Sequence, residues 1–296
     1  MPSVSLPAFA KINLDLRILG TRPDGYHDLR TIFQSLALFD KVTVTRRRGP
    51  FEIVCDQEDI PTDRRNLVWK AASLLHRVAT GKQAAPQGVS IDLRKRIPME
   101  AGLGGGSADA AMTLLALNKL WQLDLDLATL ARIGARLGAD VPYFLVGGTA
   151  LGLGRGDDIY PLADLPTVHV VILRPGFGVA TADAYSWFDE ESRRIKEPAP
   201  RPYPAGWPPW AATLRNDLEA PVVRHHPAIA RIRQSLLDSG ANFAAMSGSG
   251  SAVFGLFDRA DAARRTANDL ARPGWLSLHT RTMARREYAR RVAAGL

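Results

Sequence analysis

The chain has 296 residues, of which 46% are apolar and 23% charged, a composition typical of a globular protein with room for one large domain or two ordinary ones. Its one cysteine, Cys55, excludes an internal disulfide and disfavours structural zinc, and the lack of a membrane-spanning run or a signal-peptide pattern predicts a cytoplasmic location. The formal net charge of +8 suits a phosphate-bearing ligand, either a small molecule or a nucleic acid.

The first part of the chain is predicted to mix strands and helices. Residues 10–19, 41–45 and 51–55 have the apolar and alternating patterns of strands. Residues 66–78 place apolar side chains at helical spacing, which predicts a helix. Residues 89–93 alternate apolar and polar side chains and predict a further strand directly before a glycine-rich segment.

That segment, PMEAGLGGGSADAA at residues 98–111, carries four glycines within five positions. Ser107 is a good helix N-cap residue, and the alanines and leucines after it favour a helix. A glycine-rich turn that ends at a helix N-terminus offers free N–H groups and a partial positive charge, and it therefore predicts a phosphate-binding loop. A flexible turn without a ligand is the alternative. The loop lacks the Gly-Lys-Ser/Thr of nucleoside triphosphatases and the third glycine of the dinucleotide fingerprint.

The rest of the chain predicts a second lobe, with a cleft between the two. A helix is predicted over 127–137, a buried strand over 168–173, and a helix over 227–239. Six prolines within 198–209 predict a stiff surface loop, and residues 246–251 form a second Gly/Ser turn before a strand. The basic stretch 281–291 is interpreted as a solvated helical face, because it has no interleaved aromatic residues for base stacking.

Three segments resemble, in order, the galactokinase/homoserine kinase/mevalonate kinase/phosphomevalonate kinase (GHMP) superfamily: AFAKINL at 8–14, the loop at 98–111, and SGSGSAVFGLF at 247–257. PDGYH at 23–27, GADVP at 138–142 and RNDLE at 215–219 resemble the branch that phosphorylates a diphosphocytidyl-linked methylerythritol. The resemblance implies a two-lobed α+β fold. Residues 1–155 would resemble the second domain of ribosomal protein S5, and residues 156–296 would form a ferredoxin-like lobe.

The resemblance also implies a reaction and a set of site residues. ATP, with Mg²⁺, would phosphorylate the 2-hydroxyl of 4-diphosphocytidyl-2-C-methyl-D-erythritol in isoprenoid precursor synthesis. Asp140 would be the general base and Lys11 its cationic partner, whereas Asn13, Tyr26, His27 and Tyr185 would bind the cytidyl substrate. The residues expected to bind ATP are Asn66, Pro98, Met99, Glu100, Ala101, Gly102, Leu103, Gly104, Gly105, Gly106, Ser107 and Ala108. No metal ligand is assigned, since Glu100 and Asp109 both have the simpler interpretation of charges near the loop.

Several of these residues have simpler alternatives on sequence alone. Asp140 could be a turn residue, Lys11 an exposed strand lysine, Tyr185 a core aromatic residue and Asn66 a helix cap. Glu100 stands where the family often has a small residue, and a carboxylate there is unfavourable unless it faces away from the phosphates.

Two other functions compete with this interpretation. One is another kinase of the superfamily, acting on homoserine or mevalonate. Tyr26 and His27 argue against it, because neither of those acceptors carries a nucleobase for an aromatic side chain to stack on. A basic nucleic-acid-binding protein would bind in a strongly salt-dependent way and without ATP turnover. The expected ligands are therefore ATP and one small molecule, with no nucleic acid or membrane partner, and the sequence does not indicate an oligomeric state.

Overall fold

Two β-sheets organise the computed structural model, which describes residues 1–81, 86–192 and 214–296. The proline-rich stretch 198–209 lies outside the described residues. The strands are β1 (Ser3–Thr21), β2 (His27–Pro50), β3 (Glu52–Cys55), β4 (Gln87–Arg94), β5 (Thr149–Gly154), β6 (Asp158–Pro161), β7 (His169–Arg174), β8 (Phe243–Met246), β9 (Val253–Phe257) and β10 (Leu276–Arg281). The helices are α1 (Leu67–Thr80), α2 (Gly105–Trp121), α3 (Leu127–Ala135), α4 (Tyr143–Val146), α5 (Thr181–Ser192), α6 (Glu219–His225), α7 (Ala228–Asp238), α8 (Ala260–Asp269) and α9 (Arg285–Ala293). None of the helices described combines the length and apolarity that crossing a bilayer requires.

The first sheet is built on a long hairpin of β1 and β2. Its strand order is β3-β4-β2-β5-β6, and β1 also pairs with β2. The strands predicted at 10–19 and 41–45 are therefore parts of longer ones. Helices α1 and α2 cover one face of this sheet, and ten residues of α2 are buried against it, which explains its alanine- and leucine-rich sequence.

The pairing of β1 with β2 is irregular where β1 reaches the ligand cleft. Phe9 pairs with Phe39 and Lys11 pairs with Ser35, so two residues of β1 span four residues of β2 and the extra residues bulge from β2. Before this point Leu6 and Ala8 pack in the core beneath α2, whereas after it Ile12 and Leu14 pack toward the second sheet. Lys11 and Asn13 alternate with these last residues along the strand, and both line the cavity.

The second sheet has the antiparallel order β10-β7-β9-β8. Helices α5, α6 and α7 come between its first and second strands in the chain, and α8 comes between its third and fourth. This is the connectivity of a ferredoxin-like lobe, and the predicted two-lobed α+β fold is confirmed.

The two lobes share parts of the chain that the predicted division at residues 155 and 156 separates. Strand β6 pairs with β5, so it belongs to the first sheet. Helix α9 also returns to the first lobe, where Tyr288 packs 5.2 Å from the Phe9 ring and donates a hydrogen bond to the Phe144 carbonyl at 2.5 Å. The predicted ranges 1–155 and 156–296 therefore do not follow the two cores.

Candidate active site

A cavity of about 1220 Å³ lies in the cleft between the lobes. Most of the residues predicted to form the site line it together: Lys11, Asn13, Tyr26, His27, residues 98–107, Asp140 and Tyr185. Asn66 and Ala108 are not part of the lining. Ala108 is fully buried in α2, whereas Asn66 caps α1 by accepting a hydrogen bond from Val68 N–H at 2.9 Å.

The glycine-rich loop leads into α2 three residues earlier than its sequence predicts. Gly104 is the N-cap, in the left-handed conformation at φ 73°, and the helix begins at Gly105. Ser107, which the sequence predicts as the cap, therefore lies inside the first turn. The first helical bond runs from Ala108 N–H to the Gly104 carbonyl, so the amides of residues 105–107 have no helical acceptor. No side chain caps this end of α2 among the described residues, which leaves those amides available to an anion.

Two glycines of the loop are required because other atoms approach their Cα atoms closely. A Cβ on Gly104 would lie 2.6 Å from Phe144 Cζ and 3.1 Å from Lys11 Cγ. A Cβ on Gly102 would lie 1.8 Å from the Ser247 carbonyl oxygen. The glycines therefore let the loop pass between Lys11 on one side and the Gly/Ser turn on the other.

The Gly/Ser turn at 246–251 holds the loop from the second lobe. The hydrogen bonds between them are Ser247 Oγ to the Gly102 carbonyl (2.9 Å), Ser251 N–H to the Glu100 carbonyl (3.2 Å) and Ala252 N–H to the Ala101 carbonyl (3.3 Å). Asn216 fixes the turn in its place, since its side-chain amide donates to the carbonyls of Met246 (2.9 Å) and Gly248 (2.6 Å). The sequence shows this turn and the RNDLE segment as motifs, but it does not show that both support the phosphate loop.

Lys11 and Asp140 form an ion pair beside the loop, with Nζ and Oδ2 3.3 Å apart. The Lys11 side chain is 4% exposed and that of Asp140 is 33% exposed, so the carboxylate is the partner that solvent or a ligand can reach. Lys11 Nζ also donates to Asn13 Oδ1 at 2.6 Å, and Lys11 N–H donates to the Leu103 carbonyl at 3.0 Å. The structure therefore brings together the predicted base, its predicted cationic partner and the loop.

A buried ionic cluster lies beneath the start of the loop. Lys95 Nζ lies 2.5 Å from Asp109 Oδ2 and also pairs with Asp40, whose Oδ1 accepts hydrogen bonds from the backbone N–H groups of Arg96 (2.5 Å) and Ile97 (2.8 Å). Burial raises the pKa of Asp109 to about 7, although Lys95 opposes this shift. The Oδ1 atom of Asp109 is buried and has no hydrogen-bond partner within the described ranges. Asp109 thus belongs to the support of the loop.

Glu100, the unusual carboxylate of the loop, is directed at the second lobe. It has a left-handed φ of 50°. A Cβ on Gly178 would lie 2.3 Å from Glu100 Oε2 and 2.8 Å from Glu100 Cβ, so the glutamate side chain packs directly against this glycine. The side chain therefore faces Gly178, which removes the conflict with phosphate that the sequence raises.

Tyr26, His27 and Tyr185 form one end of the cavity, and we call these three residues the aromatic wall. Tyr26 is 58% exposed, and the guanidinium carbon of Arg155 lies 5.3 Å from its ring centroid. The His27 ring stacks on Tyr185 at 4.8 Å and 24°, and its Nε2 lies 2.7 Å from Asp189 Oδ1. Burial raises the pKa of the Tyr185 hydroxyl, which favours its neutral form.

Sequence reasoning does not identify Arg155 or Asp189 as parts of this wall. Asp189 lies four residues after Tyr185 on α5, a spacing that places two side chains on the same helix face. That spacing is a signal that could have found Asp189. Arg155 has no comparable signal, because its contact with Tyr26 joins positions that are far apart in the chain.

The fold and the cleft are those of a GHMP kinase. The model for the GHMP kinases N terminal domain matches residues 66–148, and the model for the GHMP kinases C terminal domain matches residues 207–274. A solved structure of L. major mevalonate kinase in complex with R-mevalonate shares the fold, with a TM-score of 0.67 at 13% identity. The match covers 95% of this chain and 96% of that one.

More similar proteins narrow the class. The chain is 43% identical over 293 residues to the 4-diphosphocytidyl-2-C-methyl-D-erythritol kinase of Moorella thermoacetica, covering 96% of this chain and 100% of that one. It is 39% identical to the Geobacter sulfurreducens protein of that name, with the same coverage. A crystal structure of 4-(cytidine 5'-diphospho)-2C-methyl-D-erythritol kinase has a TM-score of 0.74 at 36% identity, covering 94% of this chain and 98% of its own. The chain belongs to the 4-diphosphocytidyl-2-C-methyl-D-erythritol kinase family.

Proposed function

We infer that this chain transfers the γ-phosphoryl group of ATP to the 2-hydroxyl of 4-diphosphocytidyl-2-C-methyl-D-erythritol. The products are the 2-phosphate and ADP, in isoprenoid precursor synthesis by the methylerythritol phosphate pathway. Family membership supports the reaction. The observation that carries the inference is the Lys11–Asp140 pair, which lies between the phosphate loop and an aromatic wall in one cavity.

The transfer needs a base, a cation and a cradle for phosphate. Asp140 accepts the proton of the substrate's 2-hydroxyl group. The oxygen of that hydroxyl forms a bond to the γ-phosphorus of ATP. At the same time the bond between the γ-phosphorus and the oxygen that leaves with ADP breaks. Lys11 stabilises the negative charge that develops on the hydroxyl oxygen and on the transferring group. The free amides at the start of α2 hold the phosphates of ATP.

Magnesium is expected to accompany ATP. Within the described ranges, no group of three or more histidine, cysteine, aspartate or glutamate side chains could hold a metal ion. Magnesium in proteins usually keeps several waters and is bound together with substrate phosphates. The Ser107 hydroxyl, in the first turn of α2, is the protein oxygen that we propose to contact it. The ion would neutralise phosphate charge, and its binding stays a prediction.

The aromatic wall is proposed to hold the cytidine. Tyr26 has an exposed face for stacking, and His27 and Tyr185 form a second aromatic surface beside it. Asn13, which is bonded to Lys11, is proposed to orient the methylerythritol part near Asp140. The adenine is proposed to lie near Asn66 and Leu67, at the start of α1, and Leu67 lines the cavity at this end.

Two arginines of α9, Arg285 and Arg291, contact the protein itself instead of presenting a free cationic face. Arg285 donates hydrogen bonds to backbone carbonyls of the first lobe, including that of Leu162 at 3.2 Å. The Arg291 guanidinium packs over the rings of Phe9 at 4.6 Å and Phe39 at 5.0 Å. These two arginines therefore join α9 to the first lobe. The absence of a nucleic-acid partner and the cytoplasmic location stay predictions.

An ADP-release assay tests the proposed function. With ATP and magnesium, we expect turnover with 4-diphosphocytidyl-2-C-methyl-D-erythritol and little or none with homoserine or mevalonate. The Asp140→Asn variant is the control for a contaminating kinase, since it keeps the fold and loses the base. Comparable kcat/KM for homoserine or mevalonate would contradict the assignment.

A further inference from the structure

His27 is held on three sides by helix α5. Its Nε2 lies 2.7 Å from Asp189 Oδ1, its face stacks on Tyr185, and the Phe188 ring lies edge-on at 6.2 Å. The His27 side chain is only 10% exposed, while that of Asp189 is 36% exposed. The imidazole is thus fixed in orientation at the wall of the cavity, although histidine and aspartate are 162 positions apart in the chain.

The aspartate determines which nitrogen of this histidine carries a proton. An ionised carboxylate can only accept hydrogen bonds, so the imidazole must donate to it through Nε2–H. In the neutral ring, Nδ1 is then unprotonated and can only accept. Without the carboxylate the two neutral tautomers would both be accessible, and Nδ1 would be a donor in one of them.

A fixed acceptor distinguishes two pyrimidine bases. Cytosine carries an exocyclic amino group, which donates, at the position where uracil carries a carbonyl oxygen, which accepts. Nδ1 of His27 can therefore pair with the amino group of cytosine, but it would face the carbonyl of uracil as one acceptor against another.

We propose that Asp189 is a positioning residue that fixes the tautomer of His27 and thereby makes the cavity select a diphosphocytidyl over a diphosphouridyl substrate. The proposal rests on the proposed function, because it requires the base to lie at the aromatic wall. It extends that function by naming the residue that sets base selectivity through its hydrogen bond to His27.

Substitution of Asp189 tests the proposal by its effect on selectivity. Asp189→Asn can donate to Nε2 and so permits the other tautomer, and Asp189→Ala removes the partner altogether. The measurement is kcat/KM for the diphosphocytidyl substrate and for its diphosphouridyl analogue, together with the KM for ATP. Both variants should lower the cytidyl-to-uridyl ratio by about tenfold or more, the scale of one lost base-specific contact, with the KM for ATP unchanged.

Glu190→Gln is the matched control, because Glu190 is the next acidic residue on α5 and its side chain is exposed. It should keep the native ratio. An unchanged ratio in both Asp189 variants would overturn the proposal while leaving the proposed function intact. Failure of the native protein to phosphorylate the diphosphocytidyl substrate would instead overturn both.

A spectroscopic measurement keeps the test independent of how the variants fold. In the native protein labelled with ¹⁵N-histidine, the two ring nitrogens have chemical shifts that report which one is protonated, and His27→Gln assigns the signals. The proposal expects protonation at Nε2 of the neutral ring. Protonation at Nδ1 instead would refute it.

Discussion

Substitution of Gly102 by alanine should separate the phosphate loop from the turn that holds it. Gly102 has a φ of +72°, and a Cβ there would lie 1.8 Å from the carbonyl oxygen of Ser247 and 2.8 Å from its carbonyl carbon. Both are backbone atoms, so no side-chain rotation relieves the overlap. The loop or the turn must move, and the hydrogen bonds between them must lengthen or break.

The expected cost follows from these contacts. A non-glycine residue in the left-handed conformation costs about 1–2 kcal/mol. The three hydrogen bonds that join residues 100–102 to residues 247–252 each contribute about 1 kcal/mol net. If all three are lost, the free energy of unfolding should fall by about 4–5 kcal/mol, which is a large part of the stability of a typical domain.

Urea denaturation measures this loss, and the KM for ATP should rise in parallel if the loop binds phosphate. Gly106→Ala is the matched control. Its Cβ would meet only Leu67 Cδ1 at 3.6 Å, and alanine favours a helix over glycine by about 0.5–1 kcal/mol. The control should therefore unfold at the native urea concentration or slightly above it. Equal midpoints for Gly102→Ala and the native protein would refute the argument that the close approach requires glycine.

Asp140→Asn should lower kcat about a hundredfold or more, the scale of a lost general base, with little change in the KM of either substrate; near-native steady-state turnover would contradict the role of Asp140. Tyr26→Ala should raise the KM for the diphosphocytidyl substrate about tenfold or more and leave that for ATP unchanged, since one base stack contributes about 1–3 kcal/mol; equal increases for both would indicate a structural role. Burial raises the pKa of Asp109 to about 7, so the folded state keeps a proton that the unfolded state releases at lower pH. The contribution of protonated Asp109 to stability is therefore complete below about pH 4, the pKa of an aspartate in the unfolded chain, and is lost as the pH rises toward 7. Between pH 5 and pH 8 the melting temperature should fall less for Asp109→Asn than for the native protein. Equal falls in melting temperature for the two proteins would contradict this.

The sequence predicts which residues form the site better than it predicts the contacts that hold those residues in place. Motifs identify Lys11, Asp140 and the loop because chemistry restricts which residues can stand there. Local patterns miss the register shift after Phe9, because strand alternation assumes a constant period and the extra residues of β2 are recognised only from its pairing with β1. The start of α2 is predicted late, since glycine has a low helix propensity and yet Gly105 and Gly106 are helical.

Contacts between distant positions are the remaining part that local patterns do not reveal. Asp189 approaches His27 only because the second lobe packs against the β1–β2 hairpin, and the same packing brings the Gly/Ser turn to the loop. These contacts depend on tertiary structure, which a short sequence window does not contain.

The position of α9 has a consequence for how the chain folds during synthesis. Tyr288 fills the space above Gly147, where a Cβ would lie 2.4 Å from its ring, and it packs against Phe9 near the start of β1. Because α9 follows every element of the second lobe in chain order, the ribosome makes the second lobe before the first has its final core residues. The usual order, in which an N-terminal domain folds completely while the next is being translated, is therefore closed to this protein. The contact between Tyr288 and Phe9, and with it the complete core of the first lobe, can form only after the last helix has emerged.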